Sequence, residues 1–181
     1  MDIEDKFSIV NILGTGSCGI VYKAIEKNTG KEYALKKCDY DDDVLINPMV
    51  MREIDILFKI DHKHIIKLHE VLICYHKGKK YIFLVLSLGN FSIFNLNKYK
   101  SNVYKSNRYI AGKKFLEILD ALSYINKLGY IHNDLTPTNI VIKNGKTKVI
   151  DFGLCRRLYR SYDHEIPPSP YVRPFELIYG G

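Results

Sequence analysis

His132-Asn133-Asp134-Leu135-Thr136-Pro137-Thr138-Asn139, continuing through Ile140-Val141-Ile142-Lys143-Asn144-Gly145-Lys146-Thr147-Lys148-Val149-Ile150 to Asp151-Phe152-Gly153, is the stretch that decides the reading of this chain. Asn144-Gly145 between two short apolar runs is a strong signal for a type I′ hairpin, because both central residues of that turn need φ above zero. Asn139 immediately precedes the first strand and Asp151 immediately follows the second. An antiparallel hairpin therefore brings these two oxygen ligands side by side, the donor type that hard Mg²⁺ requires. Asp134, in the loop before the hairpin, is placed to accept a proton from a hydroxyl. Singly, each Asp is more often a turn residue or a helix cap; in this order they point to one site.

Upstream, Phe115, Ile118, Leu119, Leu122 and Ile125 predict an amphipathic helix stopped by Gly129. The first third of the chain reads as strands, over residues 7–13, 20–26 and 32–37, with two further apolar runs at 65–74 and 81–88. Between the first two lies Gly14-Thr15-Gly16-Ser17-Cys18-Gly19. In dinucleotide-binding folds such glycines open a helix. Here Ile20-Val21-Tyr22 follows, which is β-prone, so the glycines form a lid over phosphates where backbone can approach closely. Asn47-Pro48 supplies a cap and first-turn proline for a helix in which Val50, Ile54, Leu57 and Phe58 keep helical spacing. Glu53 falls on the buried stripe of that helix and needs a partner, since an unpaired inward carboxylate costs several kcal/mol. Lys36, within the apolar strand Tyr33-Ala34-Leu35-Lys36, is the natural one, although taken alone the two read first as a chance surface pair and it is the later motifs that favour the inward one. Strands first and helix later indicate an α+β chain with one mostly β part and one mostly α part.

Composition narrows the class. The 181 residues are 46% hydrophobic and 26% charged, which sets aside collagen-like and disordered readings. Lys+Arg 27 against Asp+Glu 20 leaves +7, an excess that fits any anionic partner and selects none. The basic repeat Tyr99-Lys100-Ser101-Asn102 and Tyr104-Lys105-Ser106-Asn107 is better read as a solvated boundary segment than as a nucleic-acid contact. The four cysteines form no close pair, the N-terminus is acidic, and no apolar run is long enough to span a bilayer. The expectation is an intracellular protein, cytoplasmic or nuclear, that binds neither nucleic acid nor membrane.

From about Phe7 onward the chain resembles the eukaryotic protein kinases, within them the cyclin-dependent and MAP kinase group. Residues 14–21 resemble the glycine-rich loop, Ala34-Leu35-Lys36 the β3 lysine motif and Met51-Arg52-Glu53-Ile54 the αC segment. Asp151-Phe152-Gly153 matches the magnesium motif, and Arg173-Pro174-Phe175-Glu176 is similar to the close of the activation segment. The resemblance implies a two-lobed fold, with a β-rich N-lobe over 1–88 and a partial helical C-lobe over 89–181. It implies that Asp134, Lys36, Glu53 and Asn139 are catalytic and that Asn139 and Asp151 hold Mg²⁺. ATP would lie against Gly14, Thr15, Gly16, Ser17, Cys18, Gly19, Val21, Ala34, Lys36, Leu86, Leu88 and Val141. Leu86 takes the gatekeeper position, residues 87–89 the hinge, and Leu57, Leu68, His132 and Phe152 an internal spine. The implied activity is transfer of the γ-phosphate of Mg·ATP to Ser or Thr hydroxyls of proteins.

Four departures qualify that activity. Asn133 stands where the family has the Arg that reads an activation-loop phosphate, which also weakens Asp163 as an acidic mimic of that phosphate. Thr136 stands where Ser/Thr kinases place a Lys that stabilises charge on the transferring group. Pro168 and Pro170 flank Ser169, and Phe175 replaces the family proline, so peptide specificity does not carry over. Finally, the sequence stops at Gly180-Gly181, before the later C-lobe helices. The expectation is apolar surface over Phe115–Ile125 and Phe175–Tyr179, covered by a partner protein unless the chain is a fragment or degenerate copy. The alternative function is a truncated pseudokinase-like protein that docks on or inhibits a partner kinase.

Overall fold

Alternating side chains on three hairpin-linked strands build the first part of the structure, a computed structural model that describes residues 1–16, 19–40, 46–94 and 108–158. The chain divides into two units, Met1–Asp61 with Ile66–Gly89, and His62–Ile65 with Asn90–Gly181.

In the first unit, the short helix α1 (Ile3–Lys6) leads into β1 (Phe7–Gly16), β2 (Gly19–Glu26) and β3 (Glu32–Asp39). Helix α2 (Pro48–Lys59) follows, then β4 (Leu68–His76) and β5 (Lys79–Ser87). The five strands form one sheet in the order β1-β2-β3-β5-β4, every neighbouring pair antiparallel. One face carries Ala24, Leu35, Phe83, Val85 and Cys74, and packs on Ile3 and Phe7. Asp2 closes α1 in a capping box, which is how a four-residue helix holds a fully buried Ile3 in place. The opposite face presents the rows Val21–Lys36–Leu84 and Ala34–Leu86–Leu68, set by the strand register.

Asn47 caps α2 through its side chain, which accepts from the Met49 N–H, with Pro48 in the first turn. The buried stripe is Val50, Glu53, Ile56 and Leu57, whereas Phe58 is exposed. The spacing expectation thus held for Val50 and Leu57 and erred at Phe58, because the buried face is centred on Glu53. The run expected from residue 65 begins as a strand only at Leu68; Ile65 instead bridges Val149 within the second unit.

The second unit contains β6 (Phe91–Ser92), α3 (Arg108–Lys127), β7 (Tyr130–Ile131), a 3₁₀ turn at Pro137–Asn139, β8 (Ile140–Lys143), β9 (Lys146–Val149) and β10 (Arg156–Arg157). A three-stranded sheet runs β6-β8-β9, and β7 pairs with β10. The hairpin turn is as the sequence predicts, with φ +49° at Asn144 and +74° at Gly145. Helix α3 buries Ile118, Ala121 and Ile125, while Phe115, Leu116 and Leu119 are exposed. The expected apolar surface over this helix is therefore present at Phe115 and Leu119 but not at Ile118 or Ile125. No helix among the described residues is long and apolar enough to cross a membrane. The tyrosine–lysine repeat, Asp163, Ser169 and residues 173–179 lie outside the described residues.

Candidate active site

Each unit positions its own set of polar side chains. In the first, Lys36 Nζ donates to Glu53 Oε2 at 2.5 Å. Lys36 is 6% exposed and Glu53 1%, so both charges are removed from water and compensate one another. The pairing follows from local rules. β3 must alternate, which turns Lys36 to the same face as Ala34, and the stripe of α2 turns Glu53 inward.

Ala34 pairs with Leu86 across β3 and β5, and Val21 with Lys36 across β2 and β3. Ala34 and Leu86 are buried, while Val21 and Leu88 are half-buried. Gly14, Thr15 and Gly16 lie exposed at the end of β1, and Gly16 pairs with Gly19. Ser17 and Cys18 lie outside the described residues. A Cβ at Gly14 or Gly16 would meet nothing within 4 Å, which fits open space above the loop. Gly19 is different: its φ is +131°, and a Cβ there would sit 1.9 Å from the Lys37 carbonyl oxygen. The neighbouring strand by itself therefore requires glycine at that position.

In the second unit, Asn139 is buried and its Nδ2 donates to both Asp134 O (2.9 Å) and Asp134 Oδ2 (2.8 Å). Those two acceptors fix the amide orientation and leave Oδ1 as the oxygen available to a cation. Asp134 Oδ1 is buried and accepts no hydrogen bond from the described residues. The Ile150 N–H donates to Asn139 O at 2.9 Å, so the hairpin does bring residue 139 beside the Ile150-Asp151 step. Asp151 has φ +62° and Asn133 φ +63°, a left-handed backbone that Asp and Asn tolerate better than most residues. Val141 is half-buried on β8, in register with Lys148.

His132 ties the pieces together. Its Nε2 meets Ile150 O at 3.0 Å, and its Nδ1 accepts the Asp134 N–H at 3.3 Å. The ring stands edge-on to Phe152, centroids 4.8 Å apart. Burial pushes its pKa down, and the hydrogen bond to Ile150 and the two carboxylates oppose that only in part. The result is a neutral imidazole protonated on Nε2, which both contacts require. Of the expected spine residues, His132 and Phe152 meet within this unit; Leu57 and Leu68 belong to the first.

Sequence reasoning missed Glu117. Its carboxylate accepts the Thr147 N–H at 2.8 Å and Lys114 Nζ at 2.9 Å, and Lys114 also donates to Gly145 O. Burial raises its pKa, but the bonds from Lys114 and Thr147 outweigh this and bring it to about 2. A carboxyl depressed in the folded state contributes stability that is complete above its unfolded value of 4.5 and lost as pH falls toward 2. Allowing for screening, that contribution is at most about 2 kcal/mol. Urea unfolding of Glu117→Gln between pH 5 and 2.5 is expected to show a flatter acid limb than the parent. An unchanged limb would remove Glu117 as its source.

The second unit thus sets a carboxylate, an amide oxygen and a second carboxylate around the open end of one hairpin. The protein kinase domain family matches residues 7–178. This chain belongs to the protein kinase domain family. Cyclin-dependent kinase 12 of Drosophila melanogaster is 32% identical to this kinase domain over 97% of the chain and 16% of its own length. Cell division control protein 2 homolog 3 of Trypanosoma brucei brucei is 31% identical, over 99% of the chain and 57% of its own length. A relative from Acanthamoeba polyphaga mimivirus, 28% identical over 97% of the chain, has serine/threonine-protein kinase in its name and is matched over 27% of its length. The chain spans less than two thirds of each of these proteins. Two of the three carry cyclin-dependent or cell-division-control names, the group the sequence resembles.

Proposed function

We propose that the protein transfers the γ-phosphate of Mg·ATP to Ser or Thr hydroxyls of protein substrates. The observation that carries this is Asp134. Its Oδ2 and backbone are held by Asn139, while Oδ1 is buried with no donor among the described residues. A fixed carboxylate oxygen in that state is suited to take a hydroxyl proton. Asn139 and Asp151 supply the hard oxygens that would hold Mg²⁺, whose part is to neutralise charge on the phosphates. Lys36, oriented by Glu53, anchors those phosphates, and most of the rate comes from positioning and preorganised charge. Ser/Thr preference rests on resemblance to the cyclin-dependent group and on the name of the mimivirus relative.

This reading supposes an intracellular location, with protein substrates and a partner protein for regulation. It is supported there by the spacing of the four cysteines, no two of which stand close enough in sequence for a C-x-x-C pair. A purely docking role accounts poorly for the retained set, because a scaffold has no need of a buried Lys36–Glu53 pair together with Asp134, Asn139 and Asp151. Transfer of labelled phosphate from Mg·ATP to a generic basic substrate tests the proposal. A folded protein that binds Mg·ATP and transfers nothing would leave docking as the better account.

Thr136 lies in the same loop, its hydroxyl 2.6 Å from that of Thr138. Because a preorganised donor at developing charge is worth on the order of 10²–10³ in rate, Thr136→Lys is expected to raise kcat by about 10-fold or more. Steady-state kinetics check this; an unchanged or lower kcat would show that Thr136 does not occupy the charge-stabilising position.

A further inference from the structure

β9 is the edge strand of the sheet β6-β8-β9, and its outer backbone groups are closed by side chains and a crossing segment. Glu117 takes the Thr147 N–H at 2.8 Å, and His64 Nδ1 meets the Thr147 carbonyl at 3.0 Å. The Val149 N–H donates to His64 O at 2.9 Å, and Lys114 grips Gly145 O at the turn. Burying an edge demands partners for its amides and carbonyls, but capping alone does not explain an ion pair. Lys114 and Glu117 are one turn apart on α3 and only 11% and 12% exposed.

The hairpin has four residues on each strand. One end is its turn, held by Lys114 and Glu117. The other end carries Asn139 and leads directly into Asp151, joined through the Ile150–Asn139 hydrogen bond. A short, stiff hairpin transmits a tilt at one end to the other, and a displacement of about 1 Å at a ligand is costly. We propose that Glu117, aligned by Lys114, is a positioning residue for the Mg²⁺ ligands Asn139 and Asp151, setting the height of the hairpin on α3. The inference rests on the kinase reading above. Since the Thr147 N–H must face an acceptor and the Gly145 carbonyl a donor, the polarity of the pair matters as well as its charge.

The test is the thermal stability of the full chain at saturating ATP while Mg²⁺ is titrated, with ATP plus EDTA as the metal-free reference. Outer-shell partners of metal ligands commonly change metal affinity by about 10–100-fold. For Glu117→Gln and Lys114→Met, the Mg²⁺ concentration giving half the stabilisation is expected to rise on the order of 10-fold, with the metal-free ATP response unchanged. The swapped Lys114→Glu/Glu117→Lys protein is expected not to recover. Asp120→Asn, a substitution on the same helix as Lys114 and Glu117 that breaks an ion pair with Lys63 and leaves their contacts to the hairpin in place, is expected to keep the parental midpoint. An unchanged midpoint in the Glu117 and Lys114 variants, an equal rise in Asp120→Asn, or recovery in the swap would overturn the inference. No Mg·ATP stabilisation of the parent would instead remove the kinase reading, and this inference with it.

Discussion

Asp134→Asn is expected to lower phosphoryl transfer by about 10²–10⁴-fold, the range over which a positioned general base acts, while Mg·ATP still stabilises the fold. The substitution is nearly isosteric, and its orientation is dictated by what surrounds it. Asn139 Nδ2 donates to Asp134 Oδ2 at 2.8 Å, so the introduced amide must keep its oxygen on that side. Its NH₂ then takes the place of Oδ1, the buried oxygen with no donor among the described residues. An acceptor is replaced by a donor at the one atom assigned to the hydroxyl proton. Labelled-phosphate transfer measured beside the Mg·ATP melting shift separates the possibilities. Loss of transfer with the shift retained supports Asp134 as the base. Equal transfer would exclude it, and loss of both would mean that the loop itself had been disturbed.

The largest effect on stability is expected at the buried ion pair. Glu53→Ala removes the carboxylate that pairs with the Lys36 ammonium, which is 6% exposed. Removing one partner of such a pair commonly costs about 3–5 kcal/mol, whereas replacing both by apolar residues of similar size is often neutral or stabilising. The double variant Lys36→Met/Glu53→Leu is therefore expected to unfold in urea near the parental midpoint, well above Glu53→Ala. Both proteins are expected to lose transfer, because the phosphate anchor is misplaced in one and absent in the other. That split between stability and chemistry is the informative result. If the double variant were as unstable as Glu53→Ala, the pair would be holding the fold rather than the nucleotide.

Several parts of this structure were legible from short stretches of sequence because they depend on local backbone rules. Asn144-Gly145 makes its turn because few other dipeptides accept two positive φ values. Asn47-Pro48 starts α2 because a side-chain acceptor and a residue lacking an N–H suit a helix N-terminus. Strand alternation and helix spacing made Lys36 and Glu53 candidates for an inward pair, and only the later motifs favoured that over a chance surface pair; the structure holds them together and buried. That Asn139 and the Ile150-Asp151 step meet at the open end of one hairpin likewise needed only the order of residues.

Other features depend on atoms brought from far along the chain. Gly19 reads as one more glycine of a phosphate loop until β3 sets the Lys37 carbonyl where its Cβ would stand. Phe58 fits the helical spacing of α2 and is exposed all the same, while Ile56 is buried. Phe115 and Leu119 fit that of α3 and are exposed too. Periodicity says that a stripe exists; what packs against the helix decides how wide it is and where it is centred. Glu117 gave no signal in the sequence beyond a Lys three residues earlier, and its low pKa exists only because Thr147 and Lys114 converge on it. By itself, then, the sequence determined the family, the elements and the residues that meet through local geometry, since φ, ψ and side-chain direction repeat over a few residues. Only the tertiary structure decided which apolar side chains are covered and which charges are held, because burial and hydrogen bonding depend on neighbours that spacing along the chain cannot supply.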